Sequence, residues 1–218
     1  MPEAPPEDIN QLLNLVSLAY SYRINQCGPV ANGVFWKDED GQVLRYELLL
    51  QAVAEADLAG PITVNDLGCG YGALFDLLST MPMMQNGRYF GYDISSPMLE
   101  KARERHTDPR ATFIESPIPT EVADYSFASG TYNMNFGARR DIWGAYVKTS
   151  LMRLWEKTDK VMAFNMLDNA SPERLTDLYY ANRQEFLEFA LSLSPEVEII
   201  DDYPLTEFTI YVKRPGVL

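Results

Sequence analysis

Ile62-Thr-Val-Asn-Asp66-Leu-Gly68-Cys-Gly70-Tyr-Gly72-Ala73 is the stretch that decides the fold. Its first six residues form a short β-rich run that stops at glycines, and the apolar residues that follow predict a helix over 73–80. A strand, a glycine turn and a helix in that order open an α/β unit. The turn falls at the carboxyl end of the strand, where open α/β sheets hold their ligands. Without Cβ atoms, Gly68 and Gly70 let a ligand lie against bare backbone.

The same alternation continues downstream. Residues 88–93 read as a second strand, 97–106 as a helix with Ser95 or Ser96 as N-cap and Pro97 near its first turn, and 111–114 as a third strand. Strands over 125–129 and 160–166 and helices over 142–157 and 172–191 complete the predicted order. This pattern is a doubly wound, Rossmann-like α/β sheet. The end of the chain breaks the rhythm. Residues 197–200 and 208–212 are both strand-like, and the segment between them is too short for a crossover helix, so they predict an antiparallel hairpin at one edge of the sheet.

Upstream, residues 9–24 carry a broad apolar helical face. Gly28-Pro29 and Asn32-Gly33 punctuate the approach to Trp36, and Asp40-Gly41 precedes a second helix over 43–56. Residues 1–60 are therefore expected to form a helical lid on a domain spanning 61–218, the two making one structural domain.

The composition is 46% hydrophobic and 22% charged, ordinary globular values, with no apolar run long enough for a membrane helix. The acidic, proline-rich first eight residues look disordered and lack the order of a secretory signal, so a soluble, cytoplasmic protein is expected. Cys27 and Cys69 are far apart and suggest neither a disulfide nor a metal cluster. A net charge of −13 opposes polyanion binding and disfavours a nucleic-acid partner. The basic run of Arg103, Arg105, His106 and Arg110 reads as a solvated helix face, with His106 at the surface.

Gly68, Gly70 and Ala73 also satisfy the dinucleotide pattern G-x-G-x-x-G/A, with Asp93 near the expected position of a ribose-binding acid. A nicotinamide-dependent oxidoreductase is thus one alternative. Against it, Asp66 would sit badly beside a pyrophosphate but well beside an ammonium. No lysine has a tyrosine four residues earlier to complete a dehydrogenase proton-transfer pair. Asp93 can accept hydrogen bonds from two vicinal hydroxyls, or serve merely as an acid at a helix N-terminus.

Val64-Asn-Asp66-Leu-Gly68-Cys-Gly70-Tyr-Gly72 resembles the first motif of class I S-adenosylmethionine-dependent methyltransferases, acidic-x-Gly-x-Gly-x-Gly after strand one. The resemblance runs from residue 62 onward and implies a seven-stranded sheet with a reversed last strand. It implies that Asp66, Gly68, Cys69 and Gly70 face the methionine and ribose of S-adenosylmethionine. It also assigns Asp93 to the ribose hydroxyls, Ile94 to the adenine face, and Glu115 with Ser116 to the adenine edge; many members have aspartate in place of Glu115.

Trp36, Arg45-Tyr46, Ser129-Gly-Thr-Tyr132-Asn133 and Glu207-Phe-Thr-Ile210 further resemble segments of a small bacterial subgroup. On this basis Arg45 is expected to pair with the methionine carboxylate, Trp36 to close over the site or else to be a core ring, and Ser129 to join the cofactor wall. Tyr132 and Asn133 are expected to position the methyl acceptor, Tyr132 having a second reading as a core ring, with Tyr20 and Tyr22 as lid contacts. The segment after strand four lacks the paired prolines of amino-base methyltransferases, which favours a small-molecule acceptor. A protein or nucleic-acid methyltransferase and a non-catalytic cofactor-binding module remain as alternatives. The acceptor atom, the use of a general base and the oligomeric state are not encoded in these motifs.

Overall fold

The computed structural model describes residues 8–216, so the proline-rich start, residues 1–7, lies outside the described residues. Seven strands form one mixed sheet: β1 (Thr63–Leu67), β2 (Arg88–Asp93), β3 (Ala111–Glu115), β4 (Ala123–Ala128), β5 (Thr158–Leu167), β6 (Glu196–Ile200) and β7 (Glu207–Lys213). Their order is β3-β2-β1-β4-β5-β7-β6. The first five are parallel, β7 runs antiparallel to β5, and β6 forms the edge hairpin with β7. Both the doubly wound sheet and its reversed strand agree with the sequence.

Among the described residues, six α-helices flank the sheet: α1 (Ile9–Cys27), α2 (Glu39–Leu50), α3 (Ala73–Leu78), α4 (Ser96–Arg105), α5 (Arg140–Glu156) and α6 (Arg183–Leu193). One buried cluster joins α1, α5 and α6 to the sheet through Leu12, Val16, Trp143, Leu151, Phe164 and Phe186. A second joins α2, α3 and α4 through Leu49, Leu74, Phe75, Leu99 and Tyr125, and a small third one comprises Ile24, Tyr71 and Met98. The N-terminal helices are thus built into the two layers.

Helices α2 and α6 differ most from the sequence reading, and α2 ends at Leu50 where 56 was expected. Helix α2 begins at Glu39, because the Asp38 side chain accepts from the Gly41 N–H at 2.8 Å and makes Asp40-Gly41 part of the first turn. Helix α6 begins only at Arg183, where Asn182 caps the Glu185 N–H. The expected start at residue 172 fails because the preceding segment spends backbone groups elsewhere: Tyr179 N–H donates to Asn133 O and Ala181 N–H to Leu167 O.

Candidate active site

The ends of β1, β2 and β4, roofed by α1 and the 31–46 segment, enclose a cavity of about 840 Å³ including its open mouth. Gly68, Cys69 and Gly70 form its floor, Asp93, Ile94 and Ser116 one end, and Trp36, Ser129 and Gly130 another part of the wall. Among the described residues, Asp93 is the one charged side chain in the lining.

The glycine turn is held from beneath. Gly68, Gly70 and Gly72 all have positive φ, which explains three glycines in five residues. Thr131 donates to Leu67 O at 2.6 Å, and its side chain lies where a Cβ on Gly68 would sit. His106, expected at the surface, is instead tucked under the turn. Its Nε2 lies 3.0 Å from Gly72 O and its ring stacks on Phe113. Arg103 and Arg105 lie on the exposed helix face as expected, and each cation of the run has a partner: Arg103 donates to Phe113 O, Arg105 pairs with Asp76, and Arg110 with Asp108. No open cationic stripe results from these four residues.

At the end of β2, Asp93 accepts from the Gly70 N–H at 2.9 Å and the Ser95 N–H at 2.8 Å. The carboxylate is thereby oriented, and each oxygen retains a lone pair for a ligand hydroxyl. Burial raises its pKa, against the lowering effect of the backbone donors at Ser95, Gly70 and Ile94. Asp66 lies below the floor and does not line the cavity; it accepts the Tyr89 hydroxyl. Burial pushes its pKa up to about 7, the Tyr89 bond lowers it, and Asp93 adds to the rise.

Four dispersed sequence segments meet at the wall. Arg45 does not face the cavity. Its Nε donates to Glu207 at 2.8 Å, its Nη2 to the second Glu207 oxygen, and its Nη1 to Gly41 O at 2.7 Å. The guanidinium also lies over Trp36, 4.0 Å from the ring centroid. The indole edge in turn presses against Gly130, where a Cβ would fall 2.3 Å from Cη2. The expected pairing of Arg45 with a methionine carboxylate is therefore corrected: Glu207 already holds both forks of the guanidinium. Trp36 is a wall residue, fixed between a cation and a glycine.

Tyr132 and Asn133 also lie behind the wall and outside the lining. The Tyr132 hydroxyl donates to Ser150 at 3.0 Å, and the Trp143 indole N–H donates to Tyr132 O. Asn133 abuts Gly130 and leaves its Oδ1 as a buried acceptor with no protein partner. The expectation that Tyr132 touches the acceptor is corrected in favour of its core reading, since its ring packs into the layer shared with α5. Glu115 is exposed and accepts from Ser96, whereas its neighbour Ser116 reaches the lining. Tyr20 lines the cavity and Tyr22 points outward.

Sequence reasoning missed Gln42, Tyr71, Trp143, Tyr146 and Ser150, all in the lining. It also missed Asn165, which accepts the Gly130 N–H at 2.8 Å and shapes the turn after β4. Buried apolar and aromatic residues on amphipathic helices look alike whether they face a core or a cavity, so only Gln42, a polar residue four before Tyr46 on the buried face of α2, offered a signal.

An open sheet of this order, its reversed β7 and a ligand cavity over a glycine turn define the class I methyltransferase fold. The chain belongs to the methyltransferase family. The model of that family described as "Methyltransferase domain" matches residues 64–143. The "Putative methyltransferase Rv1506c" of Mycobacterium tuberculosis (strain ATCC 25618 / H37Rv) is 34% identical over 160 residues, covering 72% of this chain and 95% of that protein. Among solved structures, the magnesium protoporphyrin IX methyltransferase of Synechocystis PCC 6803 with bound SAH aligns at a TM-score of 0.62 and 14% identity, covering 95% of this chain and 100% of the other. The 1,6-didemethyltoxoflavin-N1-methyltransferase of Burkholderia thailandensis, with bound substrate and S-adenosylhomocysteine, aligns at 0.61 and 18%, covering 98% and 92%. These two likenesses concern the fold. No helix among the described residues is long and apolar enough to cross a membrane, and no cluster of metal-ligating side chains occurs among them.

Proposed function

We propose that this protein methylates a small molecule using S-adenosylmethionine held over the Gly68–Gly72 turn. The observation that carries this reading is Asp93, oriented by the Gly70 and Ser95 amides at the end of β2 and open to the cavity. The wall fits the group: glycine backbone for close approach, a carboxylate for vicinal hydroxyls, Ile94 for an adenine face, and a negative interior for a cation. Asp93, Ile94, Ser116, Gly68, Cys69, Gly70, Ser129 and Trp36 are the proposed cofactor residues, with Asp66 beneath them as a buried acid. When bound, the cofactor supplies a methyl group on a sulfonium, a good leaving group.

The chain's contribution is alignment and exclusion of water. Holding the reactants in line at about 3 Å supplies much of the acceleration. On the acceptor side, Leu13, Val16, Tyr20, Trp143, Tyr146 and Ser150 offer apolar surface and neutral hydroxyls. Burial keeps the Tyr20 and Tyr146 hydroxyls protonated at neutral pH, the latter pushed up to about 12. Such a wall suits an uncharged or cationic acceptor that is already nucleophilic at neutral pH, because no lysine, arginine or histidine among the described residues lines it to pair an anion.

Calorimetric titration with S-adenosylmethionine and S-adenosylhomocysteine, with NADH as competitor, tests the reading. Micromolar binding of the first two, lost in Asp93→Ala, is expected. Binding of NADH alone would require the glycine turn to be reinterpreted as a dinucleotide site.

A further inference from the structure

With Arg45 taken by Glu207, the part of the cavity beside Trp36 presents neutral donors instead of a cation. Gln42 and Tyr46, on α2, and Tyr71, in the glycine turn, all line it and form one chain. The Tyr71 hydroxyl donates to Gln42 Oε1 at 3.0 Å, and Gln42 Nε2 donates to the Tyr46 hydroxyl at 3.1 Å. Gln42 is 4% exposed and Tyr46 9% exposed, so the chain is inside the protein. Two tyrosine hydroxyls and one amide carry more hydrogens than the chain itself consumes.

The direction of the chain decides which are left over. Because Tyr46 accepts from Gln42, its own proton is directed to another acceptor. The second Gln42 N–H is likewise surplus. Turning the Gln42 amide over would exchange Tyr46 for Tyr71 as the hydroxyl with a proton to give, and both face the same cavity. The nearby acid, Asp66, takes its hydrogen bond from Tyr89. Buried donors in excess call for an acceptor-only group.

We infer that the Gln42–Tyr46–Tyr71 chain is the receptor for the carboxylate of the ligand's amino-acid end, in place of an arginine. The assignment rests on the proposed use of S-adenosylmethionine. Gln42 and Tyr46 donate to the carboxylate, and Tyr71 holds the Gln42 amide in the orientation that allows it. A carboxylate accepts both bonds without any proton transfer, and hydrogen bonds to a charged group are stronger than those between neutral groups.

The test compares two ligands on the full chain by calorimetry: S-adenosylhomocysteine, and methylthioadenosine, which keeps the adenosine and sulfur but lacks the amino-acid end. In Tyr46→Phe, affinity for S-adenosylhomocysteine should fall at least tenfold while that for methylthioadenosine is unchanged. Gln42→Glu should abolish the preference for S-adenosylhomocysteine altogether, because the new carboxylate captures the Tyr46 proton and repels the ligand's. Equal weakening of both ligands, or of neither, overturns the assignment and leaves the cofactor reading intact. Failure of the unaltered chain to bind either ligand overturns both. Should Tyr46→Phe not fold, the unaltered chain decides with decarboxylated S-adenosylmethionine: affinity equal to that of S-adenosylmethionine overturns the assignment, and a tenfold or greater loss together with the Gln42→Glu result supports it.

Discussion

Glu207→Gln removes a charge and almost no volume, so its effect reports the latch formed by Glu207, Arg45 and Trp36. The Arg45 and Glu207 side chains are 10% and 2% exposed, and solvent screening is therefore weak. Breaking a buried pair from one side costs about 3–5 kcal/mol, since the remaining charge stays buried. Here Arg45 retains the Gly41 carbonyl and the Trp36 face, and the glutamine oxygen still accepts one bond, which places the expected loss near the lower end, about 3 kcal/mol. For a chain of this size each kcal/mol shifts the melting temperature by about 2–4 °C, so Tm should fall by roughly 6–12 °C. Urea denaturation followed by tryptophan fluorescence measures the loss. A companion Arg45→Met/Glu207→Leu variant should recover most of it, because well-packed apolar replacements of a buried pair are often neutral or better. A loss below about 1 kcal/mol in Glu207→Gln would refute the latch as a buried, mutually dependent pair.

Gly130→Ala places a methyl group 2.3 Å from Trp36 Cη2 at a residue with φ +62°, and should cost about 1–3 kcal/mol and displace the indole, read by denaturation and by altered tryptophan emission. Asp66→Asn tests the buried acid. With its pKa raised from 3.8 to about 7 in the folded state, Asp66 binds more protons folded than unfolded between those values, so it favours the native state below about pH 4 and that benefit is lost as pH rises to 7. The asparagine variant should therefore gain stability over the unaltered chain as pH rises across that window, by on the order of 2–4 kcal/mol at its end; parallel stability curves for the two chains would reject the raised pKa. Tyr132→Phe deletes the bond to Ser150 and should lower stability by about 1 kcal/mol with S-adenosylhomocysteine affinity unchanged, whereas a clear loss of affinity would return Tyr132 to the ligand wall.

The sequence displayed the sheet well because each parallel strand is a short apolar run ended by punctuation, and because a seven-residue gap between the last two strands admits only a hairpin. The floor of the site was equally visible: glycines with positive φ and an acid ending β2 leave local marks. Arg45 shows where such reading stops. The resemblance of Arg45-Tyr46 to a subgroup segment marked it, but its partner lies 162 residues away, and no local pattern distinguishes a carboxylate of the protein from one of a ligand. Tyr132 failed for a related reason, since a polar-aromatic segment after β4 contains both the wall residues Ser129 and Gly130 and the ring that packs behind them. Helix α6 was overextended because residues 172–182 have helical composition, while tertiary bridges to residues 133 and 167 claim their backbone groups.

The placement of Glu207 at the start of β7 also has a consequence for synthesis. At about 5–20 residues per second, a ribosome adds the 162 residues separating Arg45 from Glu207 in roughly 10–30 s. Throughout that interval Arg45 lacks Glu207, and the guanidinium that lies over Trp36 is without the carboxylate that anchors it in the finished fold. The growing chain can assemble the glycine turn and the Asp93 end early, yet its cavity acquires a finished wall only after the penultimate position in the sheet is filled. Ligand binding thereby becomes a report that the whole sheet has been completed.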